Sequence, residues 1–326
     1  MSQTFIDAAT QHQADPFRLR PERNSRPENL PSLFVVGAAK SGTTALYHYF
    51  KLHPNVFVPT VKEVNYMAFF DGLPPLAGPG DRDIVARRSV TKFEDYQRLF
   101  ATRTTESVAA DVSPGYLQFS QTAGKIAELC PSAKIAIVLR NPVECAFSMY
   151  SMLRRDRREP CRTFRQAFAL SEKRISARWD GCWDYRGAYL FADQVHRYLT
   201  LFPRSQMFIR RYEELQDKPA QFYQELCKFI GIPEIDVEHA NQRLNVACTR
   251  RDLIRTRKMG RWMMRTAHVA GLAFPSSIKT PIRRYLKQPA FELTSDDRRM
   301  LIDHFAPDVL RLGQLLGWDL RRWLEA

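Results

Sequence analysis

The sequence predicts an α/β fold, a single domain of alternating strands and helices with further helices appended after it. Three observations lead there. Strand-then-helix patterning repeats through most of the chain. The run AKIAIVLRNP, residues 133–142, is continuously apolar from Ile135 to Leu139, as suits a strand buried on both faces. In FVVGAAKSGTTALYHYF, residues 34–50, an apolar strand passes through a glycine turn directly into an apolar helical pattern.

Residues 1–30 lack an apolar signal core and read as a mobile polar arm ahead of a domain over 31–326. SLFVVGA is the first strand. TTALYHYFKLHP is the helix after it, with Ala45, Leu46, Tyr49 and Phe50 at helical spacing and Pro54 as its stop. VFVPTVKEVNYMAFF, residues 56–70, reads as a second β-like segment, and the Gly- and Pro-rich DGLPPLAGPGD as an exposed loop. FEDYQRLF is a helix, and SVAADVSPGYL a short strand ending in a turn at Ser113, Pro114 and Gly115. TAGKIAELCP is helical, the buried strand 133–142 follows, and ECAFSMYSMLRR continues as a helix. YRGAYLFADQVHRYLTLFP, residues 185–203, reads as one long amphipathic helix. SQMFIRRYEEL is a strand running into a turn, and AQFYQELCKFIGI a helix closed by a glycine. Residues 245–290 show no clear periodicity, and the last forty residues are helical.

The composition, 44% apolar and 12% aromatic over 326 residues, is that of an ordinary globular chain. No run reaches the roughly 18 apolar residues of a membrane span. Cys130, Cys145, Cys161, Cys182, Cys227 and Cys248 form no CxxC pair, which argues for reduced thiols in a cytoplasm, against a disulfide framework and against a zinc site. The net charge of +14 favours anionic ligands, and RRDRR (154–158) and RRDLIRTRKMGR (250–261) are its densest clusters.

The glycine turn comes close to a nucleotide-binding P-loop but departs from it. A Walker loop needs its lysine directly after the second glycine. Here Gly37 and Gly42 keep the glycine spacing, Thr43 stands in the lysine's place, and Lys40 comes earlier. A Walker enzyme also holds magnesium through an aspartate at a strand end, whereas the strand 133–142 ends in Arg140. A fixed cation in place of a metal-holding carboxylate suits an anion handled without a metal. The backbone logic survives: strand, turn and helix start set free N–H groups and the positive helix end around one phosphate.

These residues resemble a known family. GAAKSGTTAL is similar to the 5′-phosphosulfate loop of sulfotransferases that use 3′-phosphoadenosine 5′-phosphosulfate (PAPS), and LRNPVECAFSMY resembles their 3′-phosphate motif. The resemblance runs from about residue 32 to 235, with a weaker echo in the C-terminal GWDLRRWL. It implies a P-loop-NTPase-like three-layer α/β fold with a central parallel sheet flanked by helices. It implies PAPS as donor, adenosine 3′,5′-bisphosphate (PAP) as product, and no metal requirement. Lys40, Ser41, Gly42, Thr43 and Thr44 would cradle the phosphosulfate, with Lys40 stabilising the departing phosphate. Arg140 and Ser148 would hold the 3′-phosphate, and Tyr212 in IRRYEEL would contact the adenine. RTRKMGRW (255–262) carries the residue types of the family's closing loop with Met259 inserted.

Sulfuryl transfer needs a proton acceptor near the attacking atom. AADVSPGYL holds no histidine where aryl and steroid sulfotransferases carry theirs, whereas VKEVNYM resembles the segment whose glutamate is the base in heparan-sulfate-type enzymes. That implies Glu63 as the base with Lys62 beside it; His48, His53 and Asp111 stand next if Glu63 is not the base. The expected acceptor is a hydroxyl or amine on a carbohydrate or glycoconjugate, with a tyrosine, lipid or secondary metabolite as alternatives. Two other classes fit less well. An ATP-dependent kinase requires the missing Walker lysine and magnesium carboxylate. A non-catalytic nucleic-acid or polyanion binder explains the charge but not the ordered loop with Arg140 and Ser148, so no nucleic-acid partner is expected.

Overall fold

The computed structural model describes residues 29–235 and 292–325; the arm up to residue 28 and the clusters at 250–261 lie outside the described residues, as does Cys248. Five parallel strands form one sheet in the order β2-β3-β1-β4-β5: β1 (Leu33–Gly37), β2 (Val56–Phe57), β3 (Val108–Val112), β4 (Lys134–Leu139) and β5 (Met207–Arg211). The apolar runs are continuous because helices cover both faces of the sheet. Alternate residues divide between two cores. Phe34, Val36, Ile135 and Ile137 face one core, and Leu33, Val35, Ala136 and Val138 the other.

Two helices close the second core: α1 (Thr43–Leu52) with Leu46, Tyr49 and Phe50, and α11 (Pro219–Ile230) with Phe222, Tyr223 and Leu226. Tyr49 and Tyr223 stack across them at 3.9 Å between ring centroids. The first core lies under α4 (Phe93–Ala101), α5 (Thr122–Leu129), α6 (Pro142–Arg155), α9 (Phe191–Leu201) and the C-terminal α12 (Ser295–Leu316). The result is the three-layer architecture expected from the sequence. Among the described residues no helix is long and apolar enough to cross a membrane.

Three segments differ from the sequence expectations. Residues 56–70 hold only the two-residue β2; the backbone then turns through left-handed Glu63 (φ 66°) and Asn65 (φ 53°) into the short α2 (Tyr66–Phe69). Neither residue can continue a strand in that conformation. The helix expected from residue 185 begins at Phe191, because Gly187 N–H is held by the Asp184 carboxylate (2.7 Å) and Tyr185 by Glu159 (2.7 Å). Three short helices were not anticipated: α3 (Asp81–Arg88) and α8 (Ser171–Ser176), which bury only two residues each, and α7 (Phe164–Ala169), whose buried Phe164, Ala167 and Phe168 span little more than one turn. The remaining α10 (Tyr212–Asp217) follows β5 directly.

The strand order reverses at β1, which has β3 on one side and β4 on the other. Crevices at such switch points, beyond the carboxyl ends of the strands, are where open α/β sheets bind ligands.

Candidate active site

The phosphate loop leaves β1 and enters α1. Ala38 N–H donates to the Val138 carbonyl of the neighbouring strand (2.7 Å), and Ser41 N–H folds back to the Ala38 carbonyl (3.2 Å). Both glycines are required by space. A Cβ at Gly37 would stand 2.6 Å from the Leu117 side chain. One at Gly42, itself left-handed at φ 81°, would stand 2.8 Å from both the Tyr212 ring and Leu215. Lys40 is also left-handed (φ 71°), a strained conformation for a side-chain-bearing residue.

Lys40, Gly42, Thr43, Thr44, Glu63 and Ser148 line one cavity of about 450 Å³. The loop after β1, the segment after β2, the turn after β3 and helix α6 meet there. Lys40 Nζ donates to the Met152 sulfur (3.6 Å). Burial, and then the nearby Arg155, lowers the Lys40 pKa from the usual lysine value. A lysine gathered among cations with little counter-charge is poised to gain from a multiply charged anion.

Three other expected residues lie outside that lining. Ser41 is fully buried, its hydroxyl 3.7 Å from the Cys145 thiol, so only its backbone can serve the loop. Arg140 donates to the Lys40 carbonyl (3.2 Å) and lays its guanidinium over the Tyr212 ring at 5.0 Å. Arg140 and Tyr212 therefore form one cation–π unit beside the phosphate loop, on adjacent strand ends.

Glu63 is held from several directions. Its N–H donates to the Val112 carbonyl at the end of β3 (3.2 Å). Lys62 caps one carboxylate oxygen, and Arg88 from α3 the other at 2.8 Å. Burial alone would raise its pKa, but Lys62, Arg88 and, behind them, Lys40 outweigh burial and hold the carboxyl below the usual range. Glu63 is thus a charged carboxylate at neutral pH, facing the same cavity as the phosphate loop.

Asp111 is not placed as a base. It is fully buried and accepts hydrogen bonds from Ser113 (2.6 Å), Tyr96 (2.8 Å) and Tyr116 (2.9 Å). Ser113 Oγ in turn accepts from Asn65 N–H (3.3 Å), and Tyr116 Oη from Met67 N–H (3.1 Å). Asp111 is therefore the hub that fixes the segment carrying Glu63. His53 bridges the Pro233 carbonyl (2.9 Å) and the Asn55 N–H (3.1 Å). Burial lowers its pKa and keeps it neutral. None of the four described histidines lines the cavity.

Sequence reasoning missed Arg88, which lines the cavity together with Arg158 from the basic cluster 154–158. Arg158 pairs with the buried Asp81 and lies over the Trp183 ring at 5.2 Å. The signal for Arg88 was available in DRDIVARR, with acidic residues in the first turn and basic ones in the last, the charge pattern of a helix. Donor atoms of Asp81, Asp180 and Cys182 lie within 4.8 Å of one another. The Asp81 carboxylate is already engaged by Arg158, Trp183 Nε1 (2.9 Å) and Asp180 N–H (2.8 Å), which makes it a structural counter-ion and a poor metal ligand.

A model of the sulfotransferase family matches residues 31–236. Heparan sulfate N-deacetylase/N-sulfotransferase 4 of Mus musculus, a bifunctional protein, is 27% identical over 215 residues, covering 63% of this chain and 23% of that protein. Its Xenopus tropicalis relative, heparan sulfate N-deacetylase/N-sulfotransferase 1, is 22% identical over 317 residues, covering 91% of this chain and 31% of that protein. The chain therefore spans about a quarter to a third of these curated relatives. The crystal structure of a sulfotransferase from Alicyclobacillus acidocaldarius matches with a TM-score of 0.70 at 31% identity, covering 91% of this chain and 99% of that one.

Proposed function

The chain belongs to the sulfotransferase family, and we propose that it moves the sulfuryl group of PAPS to a hydroxyl or amine of a carbohydrate or glycoconjugate. The observation that carries this reading is the meeting of Glu63 with Lys40, Thr43 and Thr44 of the phosphate loop in the lining of one cavity. The residues present fit the donor. A glycine-formed turn, the first turn of α1, Lys40 and Arg140 supply backbone donors and two cations for its anionic groups.

In the proposed reaction the acceptor oxygen or nitrogen attacks sulfur, and the bond from sulfur to the bridging phosphate oxygen breaks. Glu63 takes the acceptor's proton, and Lys40 meets the charge that grows on the departing phosphate. Thr43 and Thr44 stand at the start of α1, where hydroxyls and backbone N–H groups hold the 5′-phosphate. Ser148 and Arg140 serve the 3′-phosphate, and Tyr212 meets the adenine while keeping Arg140 flat. The carbohydrate acceptor is supported by the heparan sulfate sulfotransferases among the relatives. A second reading, transfer to a hydroxyl on an apolar metabolite or lipid, is favoured by Phe69, Phe119, Met149 and Met152 in the cavity wall.

The donor is tested by thermal unfolding. Adenosine 3′,5′-bisphosphate at about 100 times its Kd should stabilise the protein by roughly 2.7 kcal/mol, with ATP–magnesium giving far less. Equal stabilisation by both would remove PAPS as donor. Mass spectrometry of glycan, peptide and lipid acceptors after incubation with labelled PAPS then decides the acceptor, and sulfation confined to lipids or peptides would remove the carbohydrate.

Arg88 supplies a graded test of the base. Arg88→Met deletes one of the two cations on Glu63, so the proton is held more tightly and the acid limb of kcat/KM moves to higher pH. The pair is partly exposed, so the displacement should be small and activity at neutral pH should stay close to that of the parent. An unmoved acid limb would mean that Glu63 does not set it.

A further inference from the structure

The C-terminal GWDLRRWL motif has no part in the chemistry above, yet the structure ties it to the donor-facing residues. Trp323 is buried in a 3₁₀ turn (Arg321–Leu324) that follows α12. Its carbonyl accepts from Asn141 Nδ2 (3.1 Å), and its indole N–H donates to Glu213 Oε1 (3.2 Å). Asn141 and Glu213 are the residues that directly follow Arg140 and Tyr212. One side chain and one carbonyl thus fasten the two corners from which the stacked Arg140–Tyr212 pair projects.

Asn141 is held on its other side as well, since its Oδ1 caps α6 by accepting from Val143 N–H (2.9 Å). A second strap runs from the first turns of α12. Arg298 pairs with Glu144 at 2.8 Å, and the other oxygen of Glu144 faces Arg140 at 3.7 Å. Arg298 thereby offsets a carboxylate that would otherwise compete with a phosphate for Arg140. Because α12 and the 3₁₀ turn lie far along the chain from β4 and β5, this clamp joins the end of the chain to its nucleotide-facing corner.

We propose that Trp323 is a positioning residue for the donor: through Asn141 and Glu213 it holds Arg140 and Tyr212 in the geometry that receives the 3′-phosphate and adenine. This rests on the reading that Arg140 binds the donor. A guanidinium fork tolerates little misplacement, so loosening its corner costs donor affinity and leaves the sulfuryl-transfer end of the cavity untouched.

The test compares Trp323→Ala, Trp323→Phe and Arg140→Ala by titration with adenosine 3′,5′-bisphosphate and by turnover at saturating PAPS. Trp323→Phe keeps an aromatic ring, smaller than the indole, in the buried position and removes the N–H donor, so it serves if the alanine variant does not fold. Trp323→Ala should weaken the bisphosphate by about tenfold or more and Trp323→Phe by about threefold, the lower end of the net worth of one hydrogen bond. Turnover at saturating PAPS should stay within about twofold of the parent, and binding of adenosine 5′-monophosphate should fall less than that of the bisphosphate. Unchanged bisphosphate affinity in both Trp323 variants, with Arg140→Ala clearly weakened, overturns this role and leaves the donor reading standing. If Arg140→Ala itself binds the bisphosphate like the parent, the donor reading falls and takes this role with it.

Discussion

Lys40→Ala should lower turnover at saturating donor by about 10²–10³-fold, the cost of removing one preorganised charge from a transition state. Its effect on donor affinity should be much smaller. The structure explains the asymmetry. Lys40 sits on the strained turn between β1 and α1, and burial together with Arg155 lowers its pKa, so its charge is at present poorly compensated. An anion whose charge increases during the reaction repays that arrangement most at the moment of bond breaking. Arg140→Ala provides the contrast. Its guanidinium lies on Tyr212 and the Lys40 carbonyl, outside the cavity that Lys40 and Glu63 share. Losing it should weaken donor binding by about 1.5–3 kcal/mol, the worth of a charge-assisted hydrogen bond, with turnover at saturation largely kept. Equal affinity losses in both variants and unchanged turnover in Lys40→Ala would assign the lysine to binding alone. The lowered Lys40 pKa also places the alkaline limb of kcat/KM below the ordinary lysine value of about 10.4.

The strands and the phosphate loop were legible because their signals are local. A buried parallel strand is apolar at every position, and a glycine turn between strand and helix announces itself within a few residues. Positions fixed by distant partners were not legible. VKEVNYM was read as β-like, and Val61, Val64 and Tyr66 are of types that favour strands. The left-handed turn at Glu63 is set by Val112, and the left-handed Asn65 beside it by Ser113 and Ser89. The role of Glu63 came from the resemblance of that segment to a family, whereas the two cations that hold it came only from the fold. α3 escaped notice because Val85 and Asp81 are its only buried residues, and Asp81 is held by Arg158 and Trp183 from far along the chain. Ser41 has the right identity for a phosphate loop, but nothing in its neighbours tells that its hydroxyl turns inward to Cys145.

Glu63→Gln should reduce turnover by about 10²–10⁴-fold, the usual contribution of a positioned general base, with bisphosphate affinity nearly intact. The substitution keeps the shape of the side chain and one acceptor oxygen for Lys62 or Arg88; the other cation loses its acceptor but is partly exposed and can turn to water, so the cavity wall should stand. What is lost is the charge that receives the acceptor's proton. The pH profile separates this base from a histidine. Glu63 is active when deprotonated, so kcat/KM rises with pH through its ionisation and then levels off. Lys62 and Arg88 hold that ionisation below the ordinary glutamate value of about 4.3, which predicts a flat profile through neutral pH. A histidine base would put the rise near about 6.5 instead. Of the three alternatives, His53 is held by its bonds to Pro233 and Asn55, Asp111 by its three hydroxyl donors, and neither they nor His48 line the cavity. Activity of Glu63→Gln within a few-fold of the parent on a confirmed acceptor, or an acid limb near neutral pH, would take the role of base away from Glu63.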